Sequence, residues 1–379
     1  MKHYILGDVI EEISERENNP STSGYERFVG LEHYVSGEVE IKNYGSTANL
    51  NSAMKVFKSG DILVARRNVY LKRASVVYFD GLTSGDSIVL RAKDETIGKI
   101  LPFILNTTDF WEYADQYADG TMSKRLSPKV LKMYEFDLPE EGLSDLAELL
   151  WSMVDTKDAY QELLQKTDEL VKAQFVELFG ELGQDEKGWG LTTLGKCCEL
   201  NPKRPRDIND DLMVSFVPMP AVNEEGKIDC SDSRPYGEVR KGFTYFAEND
   251  VIFAKITPCM ENGKGAVARG LSNGIASGST EFHVLRPIEG VSNPYWLYII
   301  TMFDSFRIGA RKVMTGTGGQ LRVPIAYLEN YPISLPPIEL QNDFEKFVIQ
   351  SNEAKEELKK SIDKTNTMIK SVLSQAIND

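Results

Sequence analysis

At 379 residues and 41% hydrophobic content, the chain is long enough for two or three domains, each able to bury its own core. A formal charge of −14 argues against a protein that coats nucleic acid indiscriminately, but it leaves room for a local basic face, because the sign that matters is that of the contacting surface. No apolar run approaches the roughly 20 residues of a membrane helix, and the opening Met1-Lys2-His3-Tyr4-Ile5-Leu6-Gly7-Asp8 meets an acid too soon for a secretory signal, so a soluble, cytoplasmic chain without a membrane partner is expected.

The first predicted elements are short. Alternating or β-branched runs bounded by turns read as strands, among them Ser75-Val76-Val77-Tyr78-Phe79 before Asp80-Gly81, and Ser87-Ile88-Val89-Leu90-Arg91. Residues 97–117 read as helix with Phe103 and Trp111 inward. The turn Gly120-Thr121-Met122-Ser123-Lys124, Pro128 and Leu138-Pro139 follow. A Pro- and Gly-poor stretch from Leu143 to Phe179 then has helical periodicity.

From there the chain repeats itself. Leu6-Gly7 returns as Leu194-Gly195, Asp61-Ile62-Leu63-Val64-Ala65-Arg66 as Asp250-Val251-Ile252-Phe253-Ala254-Lys255, and Leu90-Arg91 as Leu285-Arg286. Gly120-Thr121 returns as Gly316-Thr317, Pro128 as Pro324 and Leu138-Pro139 as Leu335-Pro336. The offset rises from 188 to 197, the drift that loop insertions produce between two copies of one fold. In the second copy residues 294–308 read as helix with Trp296 and Phe303 inward, and a second long helical stretch covers about 339–377. The expected class is α+β: two similar mixed α/β modules, 1–142 and 183–338, separated by two long antiparallel helices, 143–182 and 339–379, around a pseudo-twofold axis.

A four-three spacing picks out Leu146, Leu150, Met153, Lys157, Tyr160, Leu164, Thr167, Val171, Gln174 and Leu178 in the first long helix. In the second it picks out Leu340, Phe344, Phe347, Ser351, Ala354, Leu358, Ser361, Thr365, Met368 and Val372. These stripes predict a coiled coil in which polar seam residues such as Lys157, Gln174 and Ser351 set the register. The alternative is two amphipathic helices, each packed on its own module. About 37 residues rise some 55 Å, which favours a spacer over a helix packed on one module. Lys359 and Lys360 are read onto the outer helical face.

Other signals are weak. Cys197, Cys198, Cys230 and Cys259 lack repeated C-x-x-C spacing and read as buried or incidental thiols rather than a metal site. No Walker-type loop and no G-x-G-x-x-G fingerprint occurs, so no cofactor is expected. Asn293-Pro294-Tyr295-Trp296 has one proline where an adenine-methyltransferase pattern has two, and is read as a helix start. Glu225-Gly226-Lys227, a possible tail of a nuclease motif, is read as a solvated hairpin loop.

Gly319-Gln320-Leu321, running through Leu328-Glu329-Asn330-Tyr331-Pro332-Ile333 to Leu335-Pro336-Pro337-Ile338-Glu339-Leu340-Gln341, resembles the end of a target recognition domain in the DNA-specificity subunit of type I restriction-modification enzymes. Ile256-Thr257-Pro258-Cys259-Met260-Glu261-Asn262-Gly263-Lys264-Gly265 resembles a sequence that recurs in one class of these domains. In the first copy Leu138-Pro139-Glu140-Glu141 lacks the second proline and the glutamine. The resemblance implies a non-catalytic subunit that reads a bipartite asymmetric site in double-stranded DNA, one half per module. It also implies two adenine methyltransferase subunits on the helices, with endonuclease/translocase subunits joining for restriction. With about 3.4 Å per base pair, the helices could offset the half-sites by up to roughly 16 base pairs. The competing readings are the specificity subunit of a related bipartite-site system, a fused DNA-modifying enzyme, and a scaffold protein that binds no DNA.

If the chain reads DNA, local cations and amides must do it. The richest cluster is Arg66, Arg67, Asn68, Tyr70, Lys72 and Arg73, just after a strand. Repeat alignment sets Lys255 opposite Arg66 and Lys264 near Arg73. Arginine can bond guanine with two donors and asparagine can bond adenine likewise. The remaining candidates are Ser123, Lys124 and Arg125 in the first copy, and Thr257, Arg311, Lys312, Thr317, Gln320 and Arg322 in the second, some of which would contact only phosphates.

Overall fold

The computed structural model describes residues 1–121 and 123–378. It divides into two compact units, residues 1–161 with 360–379 and residues 162–359. No helix among the described residues is long and apolar enough to cross a membrane.

Each unit is built on the same buried sheet. In the first the strand order is Ile10–Ile13, Ser87–Ala92, Ile62–Ala65, Ala74–Val76; in the second it is Cys198–Leu200, Phe282–Pro287, Val251–Ala254, Gly265–Val267, antiparallel throughout. The period of two along a strand gives each sheet two buried faces. Ile62, Val64, Ile88 and Leu90 face Phe103, Phe110 and Trp111 on the helical side, while Leu63, Ala65 and Val89 face Val29 and Phe57 of a second sheet. The other unit repeats the division, with Val251, Phe253 and Leu285 against Trp296 and Phe306 and Ile252, Ala254 and Val284 against Val217 and Phe246. A run such as Ile62-Leu63-Val64-Ala65 is therefore apolar at every position.

The second sheets share a three-strand kernel. Met54–Phe57, Gly81–Thr83 and Arg27–Val29 correspond to Thr244–Ala247, Ile275–Gly278 and Met213–Val217, and the last two strands of each kernel run parallel. A third pairing joins the start of each module to its end, Lys2–Ile5 with Glu135–Leu138 and Leu191–Thr193 with Pro332–Ser334. The repeated Leu-Pro dipeptide is thus the point where a module closes before the long helix starts.

The repeated residues make the same contacts twice. Arg91 clasps the carboxylate of Asp61 with two bonds of 2.8 Å, and Arg286 clasps Asp250 with bonds of 2.8 and 2.7 Å; both aspartates are only 1% exposed. Each also accepts a backbone amide, from Lys58 and from Ala247. Gly7 and Gly195 let a short helical turn lie against a neighbouring backbone: a Cβ would come 3.0 Å from the Lys132 carbonyl oxygen and 2.9 Å from the Glu329 Cα. The preceding leucines are buried and donate to Tyr134 and Tyr331 carbonyls at 2.8 and 2.9 Å.

Both predicted inward helices break in two. Glu95–Ile104 is followed by Thr108–Tyr117, whose start is capped by Thr107, and Pro294–Met302 is followed by Asp304–Val313. Asn293 caps the amides of Tyr295 and Trp296, so Asn293-Pro294 is a helix start as read from sequence. The long helices run Leu143–Phe179 and Ile338–Asn378. In the first unit Ala147, Leu150 and Val154 share a core with Leu373; in the second Val171, Phe175 and Phe179 share one with Phe344 and Val348. The beginning of one helix thus packs with the end of the other, which is antiparallel pairing, and each pair also packs on its module.

The seam differs from the predicted stripe at several places: Ala147, Val154, Phe175, Phe179 and Val348 are buried where the stripe has the less buried Leu146, Met153, Gln174, Leu178 and Phe347. Ala354 and Met368 are exposed, and Leu373 rather than Val372 is the buried position. Lys157 is buried, but its ammonium pairs with Glu38 of the first module instead of setting coil register. Lys359 is not on a free outer face either: it pairs with Glu225, while Lys227 pairs with Glu356 at 2.5 Å. The hairpin loop around Glu225-Gly226-Lys227 is docked on the helix rather than solvated, since opposite charges sit on the facing surfaces.

Candidate nucleic-acid interface

The buried sheet delivers its third strand to one edge of each module, where the chain leaves as the Arg66 or Lys255 loop. In the first module Arg66 donates its amide to Asp86 and accepts from Leu126, while Asn68 donates to Lys124. Arg67 and Arg125 bridge through their backbones, and both guanidiniums reach Asp86 Oδ1, at 2.9 and 3.2 Å. Ser123 Oγ donates to Asn68 Oδ1 at 3.0 Å. Two clusters some 55 residues apart thus form one surface. Asn68 and Lys72 both hold left-handed backbone, with φ of 55° and 49°, which turns the short 3-10 segment Val69–Leu71 outward and leaves Tyr70 64% exposed.

The second module repeats this wiring with different side chains. Lys255 donates to Glu281 and accepts from Val323, Thr257 donates to Leu321, and Ile256 bridges to Arg322. Arg322 clasps Glu281 at 2.7 and 2.9 Å, the role that Arg125 and Asp86 share in the first copy. Thr257 Oγ1 donates to the Gly319 carbonyl and accepts from the Leu321 amide, tying the turn after Lys255 to the hairpin Thr315–Thr317/Gln320–Arg322. The two stretches that carried the family resemblance meet here. Thr317 and Gln320 are exposed on that hairpin, with Arg311 and Lys312 exposed just before it and Arg311 lying 3.6 Å from Glu261.

Electrostatics separate cations that are free to act from those already engaged. Burial is the main cause of lowered proton affinity at Arg66, followed by the charge of Arg125, and burial likewise lowers that of Lys255 against the pull of Glu281. The Nε atoms of Arg66 and Arg125 are buried without a hydrogen-bond partner. Lys124 is held by Asp115 at 2.6 Å. Arg73 departs from the expectation of an exposed face: it is buried, donates to the Leu31 and Arg67 carbonyls, and supports the loop from beneath. Lys264 occupies the Arg73 position, since Ala65 and Ala254 donate to the carbonyls of Arg73 and Lys264 respectively; it is half-buried.

Sequence reasoning passed over Pro202-Lys203-Arg204-Pro205-Arg206. Pro202, Lys203, Arg204 and Arg206 of this stretch line an open concavity together with Lys255. The missed signal was three cations in a five-residue, proline-interrupted stretch. Cys197 and Cys198 are buried, and burial pushes their thiols up to about 11 and about 12, which makes them inert.

Residues 186–364 match the family model described as the type I restriction modification DNA specificity domain. The chain is 41% identical over 171 residues to the type I restriction enzyme EcoAI specificity subunit of Escherichia coli, covering 42% of this chain and 28% of that protein. It is 34% identical over 206 residues to the EcoEI specificity subunit of the same organism, covering 51% and 34%. The matches span about a third of the length of these relatives. A solved chain from work on assembly and conformational transition of the type I R-M system has the same fold, with a TM-score of 0.56 at 18% identity over 99% of this chain and 97% of that one. Over residues 186–364 this chain is thus similar to type I restriction-modification DNA specificity subunits, and its duplicated modules with their long helices share the fold of the solved chain.

Proposed function

We propose that the chain is the DNA-reading subunit of a type I restriction-modification complex, without catalysis of its own. The modules within 1–142 and 183–338 each read one half of a bipartite asymmetric site in double-stranded DNA. The observation that carries this is the duplicated loop assembly. The backbone wiring of Arg66, Arg67 and Asn68 to Lys124, Arg125 and Leu126 is the wiring of Lys255, Ile256 and Thr257 to Leu321, Arg322 and Val323, yet the side chains presented differ. Such an edge suits base reading, because constant backbone presents variable donors and acceptors.

The long helices carry two adenine methyltransferase subunits, with endonuclease/translocase subunits joining for restriction. Leu163 and Leu170, seven residues apart on the first long helix and 48% and 52% exposed, supply apolar contact area for such a partner.

Exchange of residues 1–142 for those of a relative tests the division of labour. Methylome sequencing should show one half of the adenine-methylated motif changed and the other intact. Arg66→Ala and Lys255→Ala should each relax only their own half, by about 1 to 3 kcal/mol for a base contact. A motif altered in both halves by either substitution would overturn the assignment.

A further inference from the structure

The turn after the first strand of the buried sheet reverses its charge between the modules. Glu11 faces Arg91 and Glu199 faces Arg286 in equivalent pairings, which aligns Glu15 with Lys203 and Asn18 with Arg206. In the first module Arg16–Glu17 joins the second sheet beside Met54–Phe57. In the second the segment is Pro202-Lys203-Arg204-Pro205-Arg206, and its prolines, lacking amide donors, keep it out of a ladder. It stands as a loop that walls a cavity of about 580 Å³ with Thr244, Tyr245 and Lys255.

Four cations therefore line one concave surface. Arg204 is fixed by a 3.0 Å bond from Nη2 to the Phe243 carbonyl, and Lys203 and Arg206 are exposed. None of the four pairs with a carboxylate among the described residues: the nearby Glu281 is taken by Arg322, and Asp210 by Arg240. In a chain where 57 carboxylates outnumber 43 lysines and arginines, four unpaired cations on one surface stand out. The surface is continuous with the candidate interface through Lys255, whose backbone belongs to the loop wiring and whose side chain lines the cavity.

We propose that Lys203, Arg204 and Arg206, on the surface that Lys255 joins to the loop, form a phosphate-backbone contact for double-stranded DNA that the first module lacks, anchoring the duplex so that the Ile256-Thr257 loop meets its half-site in register. The proposal rests on the DNA-reading function above. Such contacts position without selecting sequence, and each phosphate neutralised adds about 0.9 to the slope of log affinity against log salt.

The test is Lys203→Ala combined with Arg206→Ala in the full chain assembled with its methyltransferase subunits, with anisotropy measured on fluorescent duplexes carrying the methylated motif or a scrambled one. Affinity should fall about tenfold for both duplexes, the salt slope should flatten by about 2, and the preference between duplexes should stay unchanged. The converse variant, Glu15→Lys with Asn18→Arg, should tighten binding to both. Wild-type binding with no effect of the double substitution overturns the anchoring surface alone. A changed preference between duplexes also overturns it, since the residues would then be reading bases. A wild-type complex that binds neither duplex overturns the DNA-reading function itself.

Discussion

The two modules share strand order and paired Asp–Arg bonds in their frames and differ at the edge that the frame presents. Asp61 with Arg91 and Asp250 with Arg286 make the same paired bonds, and the buried sheets have the same strand order. At the edge, Arg67 and Asn68 stand where the second module has Ile256 and Thr257, and the neighbouring turn carries Glu15 in one and Lys203 in the other. Buried positions tolerate little change because packing and desolvated charge penalise it, whereas an exposed edge can vary without cost to the core. Two edge surfaces can therefore diverge on one duplicated scaffold.

The largest expected effect comes from the shared frame. Removing Asp250 leaves Arg286 and the Ala247 amide without their acceptor, and Asp250→Ala should cost about 2 to 4 kcal/mol. Asp61→Ala should cost less, because the Arg91 side chain is 44% exposed against 28% for Arg286 and water can take over more of its charge. Urea unfolding of the two variants checks this. Equal losses would show that solvent access to the arginine does not govern the pair.

Next comes a place where the frames differ. Gln341 is fully buried at the start of the second long helix; it accepts from the Asn293 amide and donates to the Val291 and Pro336 carbonyls. At the matching point the first long helix starts after Gly142, a glycine at φ 76°, with a bond from the Leu146 amide to the Gly142 carbonyl. Gln341→Ala would strand three buried backbone groups and should destabilise the second unit by about 2 kcal/mol. Hydrogen exchange should show faster opening around residues 291–293 and 336–345, with residues 143–150 unaffected. Uniform loss of protection in both regions would contradict a local tie.

The frame was legible in the sequence because its rules are local and stated twice. Strand runs, helix starts and the Asp, Leu-Gly and Leu-Pro repeats recur at nearly constant offset, and each marks a contact that both modules need. What escaped depended on long-range docking. Helical periodicity places Lys359 and Lys157 on faces of their helices but says nothing of Glu225 or Glu38, which lie more than a hundred residues away in the chain. The charge of Arg73 suggested exposure, while the fold places carbonyl acceptors beneath it. Lys203 and Arg206 escaped for a different reason: Glu15 and Asn18 stand at the matching positions of the first copy, so the repeat did not point to them. The joining of residues 66–68 to 123–125 follows from sheet closure, which no local pattern encodes.

The smallest expected effect sharpens the same comparison through pH. His283 occupies the sheet position of Ile88, since His283 pairs with Phe253 as Ile88 pairs with Val64. It is buried, with Nε2 2.8 Å from the Val323 carbonyl oxygen and Nδ1 3.3 Å from Asn201 Nδ2. Burial is the main cause that lowers its proton affinity, outweighing the carbonyl bond. A base whose folded value lies below its unfolded one is protonated more readily when unfolded. Its neutral form therefore leaves stability intact above the unfolded value near 6.5, and stability falls as pH drops from there toward the folded value. The second unit should lose stability over that range more steeply than the first, where isoleucine cannot titrate. His283→Gln should flatten the difference while lowering stability at neutral pH through imperfect packing. Thermal unfolding from pH 7.5 down to 5 decides it: a difference between units that survives in His283→Gln would place the acid sensitivity elsewhere in the second module.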